Sequence, residues 1–242
     1  MAEGLTPSQT VGPFYWGTLV GSCRADLAHR GVAGERLEVA LTLHDAHGVV
    51  IPDGVIEIWQ ANSHGRYNHP EDRRNLPLDA GFEGFGRAST DTNGTARFAT
   101  IRPGRVPWPA GGLQAPHLNI SVFARGVLNR LATRLYFDGD PSLAGDPVLK
   151  LVELSRRETL IAKRDAAGAW CLPIHLGGAR REHDDRNDGG PGVAAQELAD
   201  LEAVNLGQHH VENDQRRPLV ARRGDGPCGN VAEGLHADDL GT

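Results

Sequence analysis

The sequence predicts a mainly β fold, an antiparallel sandwich with long loops and a short helix, on three observations. Apolar and polar residues alternate over short runs, the densest runs are β-branched and aromatic, and 31 glycines with 15 prolines supply frequent turns. At 242 residues the chain can bury a full core, and this length favours one domain with an extension over two complete domains. The apolar fraction of 39% and charged fraction of 23% are ordinary for a globular protein.

Leu37, Val39, Leu41 and Leu43 alternate with more polar neighbours, which predicts a strand, and residues 45–48 supply the turn before 49–51. Residues 55–59 form the next strand. Asp91-Thr92-Asn93-Gly94 has hairpin-turn chemistry and separates strands expected at 85–88 and 95–100. Over 115–125 the alternation puts Leu118, Ile120 and Val122 on one face and His117, Asn119, Ser121, Phe123 and Arg125 on the other. The first face has packing chemistry and the second has functional chemistry. Strands are also expected at 131–137, 160–164 and 169–176, with the short helix at 148–153.

Beyond about residue 177 the texture changes. Residues 179–192 are rich in Arg, Asp and Gly, 208–242 show little apolar periodicity, and only 193–204 has a helical pattern. The expected division is a β-sandwich domain with an N-terminal arm over 1–177 and a disordered or aberrant tail over 178–242. A net charge of −6 with interspersed signs provides no basic face for nucleic acid, and no apolar run approaches the roughly 20 residues of a membrane span. No export signal is visible near Met1, so the expected location is cytoplasmic. Cys23, Cys171 and Cys228 are odd in number and widely spaced, which fits neither a disulfide framework nor a zinc cluster, and they read as reduced thiols.

A series of segments carries a more specific signal. Thr6-Pro7-Ser8-Gln9-Thr10-Val11-Gly12-Pro13-Phe14 is followed by Pro52-Asp53-Gly54-Val55-Ile56-Glu57-Ile58-Trp59-Gln60-Ala61-Asn62, Gly65-Arg66-Tyr67, Phe85-Gly86-Arg87 and Ile101-Arg102-Pro103-Gly104. Pro116-His117-Leu118-Asn119, Phe123-Ala124-Arg125-Gly126, Thr133-Arg134-Leu135-Tyr136-Phe137 and Arg156-Arg157-Glu158-Thr159-Leu160-Ile161 come next. In this order the chain resembles the intradiol ring-cleavage dioxygenases over residues 5–176. The resemblance implies that family's type of β-sandwich. It stops where the family closes with an aromatic-rich strand, and Cys171 stands where an arginine or similar residue is expected. A shifted reading frame would explain so abrupt a loss.

The metal-binding chains of this family hold ferric iron with two tyrosines and two histidines, hard to borderline donors that suit the trivalent ion. By resemblance Tyr67 and His117 match the first of each, whereas Val106 and Asn119 stand at the other two positions. The iron site is therefore expected to be vestigial, with no metal ligand and no catalytic residue in this chain. That pattern resembles the alpha-type chain of the two-subunit protocatechuate enzymes. It implies that Fe(III) is carried by an iron-bearing beta subunit, that protocatechuate and O2 are the substrates, and that a higher αβ oligomer forms. The product would be 3-carboxy-cis,cis-muconate. Motif by motif, Thr10, Gly12, Pro13 and Arg125 are expected to bind substrate beside the partner's iron. A guanidinium is also physically suited to the carboxylate that distinguishes protocatechuate from catechol. Two other readings stand beside this one: an independently active catechol-type dioxygenase, and a β-sandwich interaction module without activity.

Overall fold

The computed structural model describes residues 15–128 and 130–177. Thr10, Gly12, Pro13, Cys228, the helix expected at 193–204 and the whole 178–242 segment lie outside these. Among the described residues there are ten strands, β1 (Arg36–His44), β2 (Val55–Trp59), β3 (Phe85–Ser89), β4 (Thr95–Ile101), β5 (Val106–Pro107), β6 (Leu113–Gln114), β7 (His117–Phe123), β8 (Leu131–Phe137), β9 (Ile161–Arg164) and β10 (Trp170–His175). Short α-helices lie at Tyr15–Val20 (α1), Pro147–Leu151 (α2) and Leu154–Arg157 (α3). No described helix is long and apolar enough to cross a membrane.

Eight strands form one sheet in the order β3-β2-β7-β8-β9-β10-β1-β4, and the small β5-β6 pair stands apart. The mainly-strand expectation holds, but the sheet is nearly closed and barrel-like. Two of its pairings, β1 with β10 and β8 with β9, are parallel where an antiparallel arrangement was expected. The reason is connectivity: the helical excursion between β8 and β9 is long enough to return the chain in the same direction, as a parallel pair requires.

The turn expected at 91–94 is present, with the Asp91 carboxylate accepting from the Asn93 and Thr95 N–H groups at 2.8 and 2.9 Å. The ladder expected on either side of it is not. β3 and β4 splay to opposite ends of the sheet, and residues 24–27 fill the seam between them. Arg24 exchanges backbone hydrogen bonds of 2.7 and 3.0 Å with Arg87 of β3. Ala99 of β4 donates to Ala25 O at 2.9 Å and accepts from Leu27 N at 2.8 Å. A segment with no alternating pattern thus satisfies the backbone groups that two open edges would expose.

One continuous core lies inside. Leu41 and Leu43 of β1, Ile56 and Ile58 of β2, Phe98 of β4, Leu118 and Ile120 of β7, Leu135 and Phe137 of β8 and Leu172 of β10 belong to it. Each set recurs at every second residue, the period of a strand with one inward face. The short helix begins at Pro147, one residue before the expected start, because Asp146 caps it by accepting from the Val148 and Leu149 N–H groups at 2.8 Å. The α1 helix and the β5-β6 pair were not foreseen, since six and two residues are too few to show a period.

Leu27 stands on the seam and is buried in this core. Leu27→Ala is expected to destabilise the protein by about 2–5 kcal/mol, read as a lower urea midpoint, because the cavity opens where the sheet closes.

Candidate functional site

Tyr67 follows β2 in a loop held by close backbone contact. A Cβ at Gly104 would lie 2.4 Å from Gly65 N, and Gly65 itself has φ +76°. Only glycines allow the 62–65 turn to lie against the 103–105 loop, with Gly65 N and Gly104 N both donating to Asn62 O at 2.9 and 2.8 Å. This approach joins Tyr67 and Val106 in one buried cluster with Trp59 and Ala61. The Tyr67 and Trp59 rings stack at 5.7 Å. The Tyr67 N–H donates to Asp72 at 2.9 Å. Burial works to raise the Asp72 carboxyl, but the donors of Arg74 and the Tyr67 N–H outweigh it and hold the group below the usual carboxylate range.

His117 and Asn119 lie two residues apart on β7, on the face turned away from Leu118 and Ile120. The His117 Nδ1 lies 2.8 Å from Ala115 O, and a carbonyl can only accept, so this nitrogen carries the proton. Nε2 is then a bare acceptor, buried without a hydrogen-bond partner, as is Asn119 Oδ1. Burial first, and the Arg134 charge second, depress the His117 pKa to about 3. The ring is neutral at physiological pH. Asn119 Nδ2 donates to the Tyr67 hydroxyl at 3.4 Å, and burial pushes that phenol upward against the pull of Arg134.

Arg134 and Tyr136 complete the cluster, and neither was singled out from the sequence. The β7-β8 register sets Arg134 opposite Asn119 and Tyr136 opposite His117. Arg134 is only 3% exposed and has no ion pair among the described residues. Its Nη1 donates to Gln114 Oε1 at 2.7 Å and to the Tyr136 hydroxyl at 3.3 Å, and that hydroxyl reaches Asp146 at 3.4 Å. Asp146 also accepts from Ala115 N at 2.6 Å, which ties the network back to the His117 strand. The available signal was a charged residue inside an otherwise apolar strand run.

These residues do not fit ferric iron. The Tyr67 phenol and the His117 imidazole are the fitting donors, the Tyr136 hydroxyl is engaged by Arg134 and Asp146, Val106 is an apolar wall, and Asn119 offers only a neutral amide oxygen. A guanidinium is buried alongside, and a trivalent cation at low local dielectric would be repelled by it. His64 is exposed and His69 is partly exposed, with His69 Nδ1 accepting from Glu71 N at 3.2 Å.

Arg125 lies elsewhere. β7 ends at Phe123, so Arg125 stands in the turn beyond it and not on the His117 and Asn119 strand face. Six steps from His117 to Phe123 at about 3.3 Å put the two ends of β7 roughly 20 Å apart. The alternation was extended two residues too far, because Gly126 at φ +77° turns the chain. The Arg125 side chain is 71% exposed and ion-paired with Asp53.

Two outcomes follow from this geometry. Replacing Val106 with Tyr and Asn119 with His is expected to leave the chain without bound ferric iron while Arg134 remains, as checked by metal analysis and the visible tyrosinate band. His117 gains its proton near pH 3 in the folded state and near 6.5 in the unfolded state. Its stabilising contribution is therefore full above pH 6.5 and falls as pH drops, by up to about 1.4 kcal/mol per pH unit. His117→Gln is expected to flatten the denaturation profile between pH 6.5 and about 4.5, above the range where carboxylates titrate.

The family profile described as Dioxygenase matches residues 22–172. The chain is 39% identical over 189 residues to the protocatechuate 3,4-dioxygenase alpha chain of Pseudomonas putida, covering 72% of this chain and 92% of that one. It is 38% identical over 173 residues to the corresponding alpha chain of Burkholderia cepacia, covering 66% and 84%. The beta chain of Burkholderia cepacia is 37% identical over 158 residues, covering 62% and 67%. Identity barely separates the two chain types, so the distinction rests on the site residues. On the profile match and these identities, the chain belongs to the intradiol ring-cleavage dioxygenases, a family of enzymes.

Proposed function

We propose that this chain is the subunit without iron of a two-chain protocatechuate 3,4-dioxygenase, completing the substrate pocket of an iron-bearing beta subunit. One observation carries the reading: a buried cation, Arg134, lies opposite Asn119 beside the degenerate metal positions, while Arg125 is exposed in the turn beyond the other end of the same strand. A chain closed at its own site and offering a guanidinium outside it is suited to act on a substrate held by another chain. Fe(III), held by that partner, would supply the activation of the bound catechol toward O2, and the product would be 3-carboxy-cis,cis-muconate. This chain contributes Arg125 to the substrate carboxylate, with Thr10, Gly12 and Pro13 of the arm shaping the pocket wall, and the αβ pairs associate into a higher oligomer. Free Cys23 and Cys171 agree with a reducing, cytoplasmic setting. Val106, Asn119 and Arg134 oppose an independently active enzyme.

The chain made alone is expected to hold no ferric iron and to consume no oxygen with protocatechuate. The chain co-expressed with an iron-bearing intradiol beta subunit is expected to do both. A coloured, active lone chain would overturn the reading. In the assembled enzyme, Arg125→Leu is expected to raise KM for protocatechuate roughly 10- to 100-fold, the loss of a charge-assisted hydrogen-bonded pair. An unchanged KM would remove Arg125 from the pocket.

A further inference from the structure

We propose that Asp53 is the positioning residue for Arg125, holding its guanidinium so that the outer edge is presented to a carboxylate. The inference rests on the reading of Arg125 given above. The β2-β7 ladder ends with Val55 opposite Phe123. Two further residues along each strand bring Asp53 opposite Arg125, since 55 − 2 = 53 and 123 + 2 = 125. The two side chains meet there through Arg125 Nε and Asp53 Oδ2. Contact through Nε leaves the edge formed by the two Nη groups without a hydrogen-bond partner among the described residues, and that edge can take a second carboxylate in a bidentate manner.

The two partners are unequally held. Asp53 precedes Gly54, whose N–H donates to Thr90 Oγ1 at 2.8 Å and whose carbonyl accepts from Thr90 N at 2.9 Å. A Cβ at Gly54 would lie 2.5 Å from Leu43 Cδ1, so the backbone beside Asp53 is seated directly on the core. The Asp53 side chain is 25% exposed, against 71% for Arg125, which hangs from a turn. An exposed arginine loses rotamer entropy when it is fixed on a ligand, and an anchored carboxylate removes part of that cost before substrate arrives.

Tyr15 locks the same junction from a third element. Its hydroxyl donates to the Asp53 carbonyl. Burial, and then the Asp53 charge, push the phenol up to about 12, so it stays protonated and keeps that bond at neutral pH. Tyr15 opens α1, two residues after Pro13 in the sequence. One junction therefore links α1, the turn before β2 and the turn after β7.

The test uses the complex assembled with its iron-bearing partner and compares Asp53→Asn, Asp53→Glu and Arg125→Leu on protocatechuate and on unsubstituted catechol as substrate or competitive inhibitor. Asp53→Asn is expected to raise KM for protocatechuate about two- to fivefold, the range of an exposed ion pair, with kcat and the catechol constants unchanged. Asp53→Glu is expected to recover part of the loss. If Arg125→Leu raises KM for protocatechuate and Asp53→Asn leaves it unchanged or lowers it, Asp53 does not position the arginine and the inference falls alone. Equal changes on both ligands would assign Asp53 a purely structural role and also overturn it. If Arg125→Leu itself has no effect, the reading of the pocket falls and the inference with it.

Discussion

Strand β7 is the constraint from which the site descends. It pairs with β2 on one side and β8 on the other, so its register is held by two ladders at once. A slip of one residue would send Leu118, Ile120 and Val122 out of the core and drive His117 and Asn119 into it. With the register fixed, three further placements follow. His117 and Asn119 meet Tyr136 and Arg134 across the ladder, the strand ends at Phe123, and Arg125 is carried into a turn at the far end.

The cluster at the first end is a polar network in which the charged group is hydrogen-bonded while His117 Nε2 and Asn119 Oδ1 have no hydrogen-bond partner. A buried guanidinium costs several kcal/mol unless its protons find acceptors. Here Gln114 and the Tyr136 hydroxyl supply them, Asp146 stands one hydrogen bond further, and all three are buried. The cation in turn helps keep His117 neutral, and neutral imidazole is the form that burial favours. Val106 closes the remaining side with apolar surface. The result is a closed core feature where a donor set would otherwise converge.

At the second end the chemistry is exposed and the scaffold beneath it is rigid. Residues 24–27 seal the seam between β3 and β4, and Thr90, the first residue after β3, holds Gly54 in place. The junction of Tyr15, Asp53 and Arg125 stands on that frame. An exposed charge pair alone would be mobile and weak. Anchored to a core-seated backbone, it can hold a direction.

Local pattern alone determined much of the molecule. Strands β1 to β4 and β7 to β10, the Asp91 to Gly94 turn and the short helix near Pro147 were legible because alternation, β-branching, turn residues and caps act within a few residues of themselves. The ordered motifs likewise identified the family. Tertiary structure alone decided the parallel pairings, the seam filled by residues 24–27, the burial of Arg134 opposite Asn119 and the placement of Arg125 against Asp53. Each of these depends on which strands become neighbours. Neighbours are chosen by closing one core with every edge satisfied, a condition on the whole chain that no local window contains.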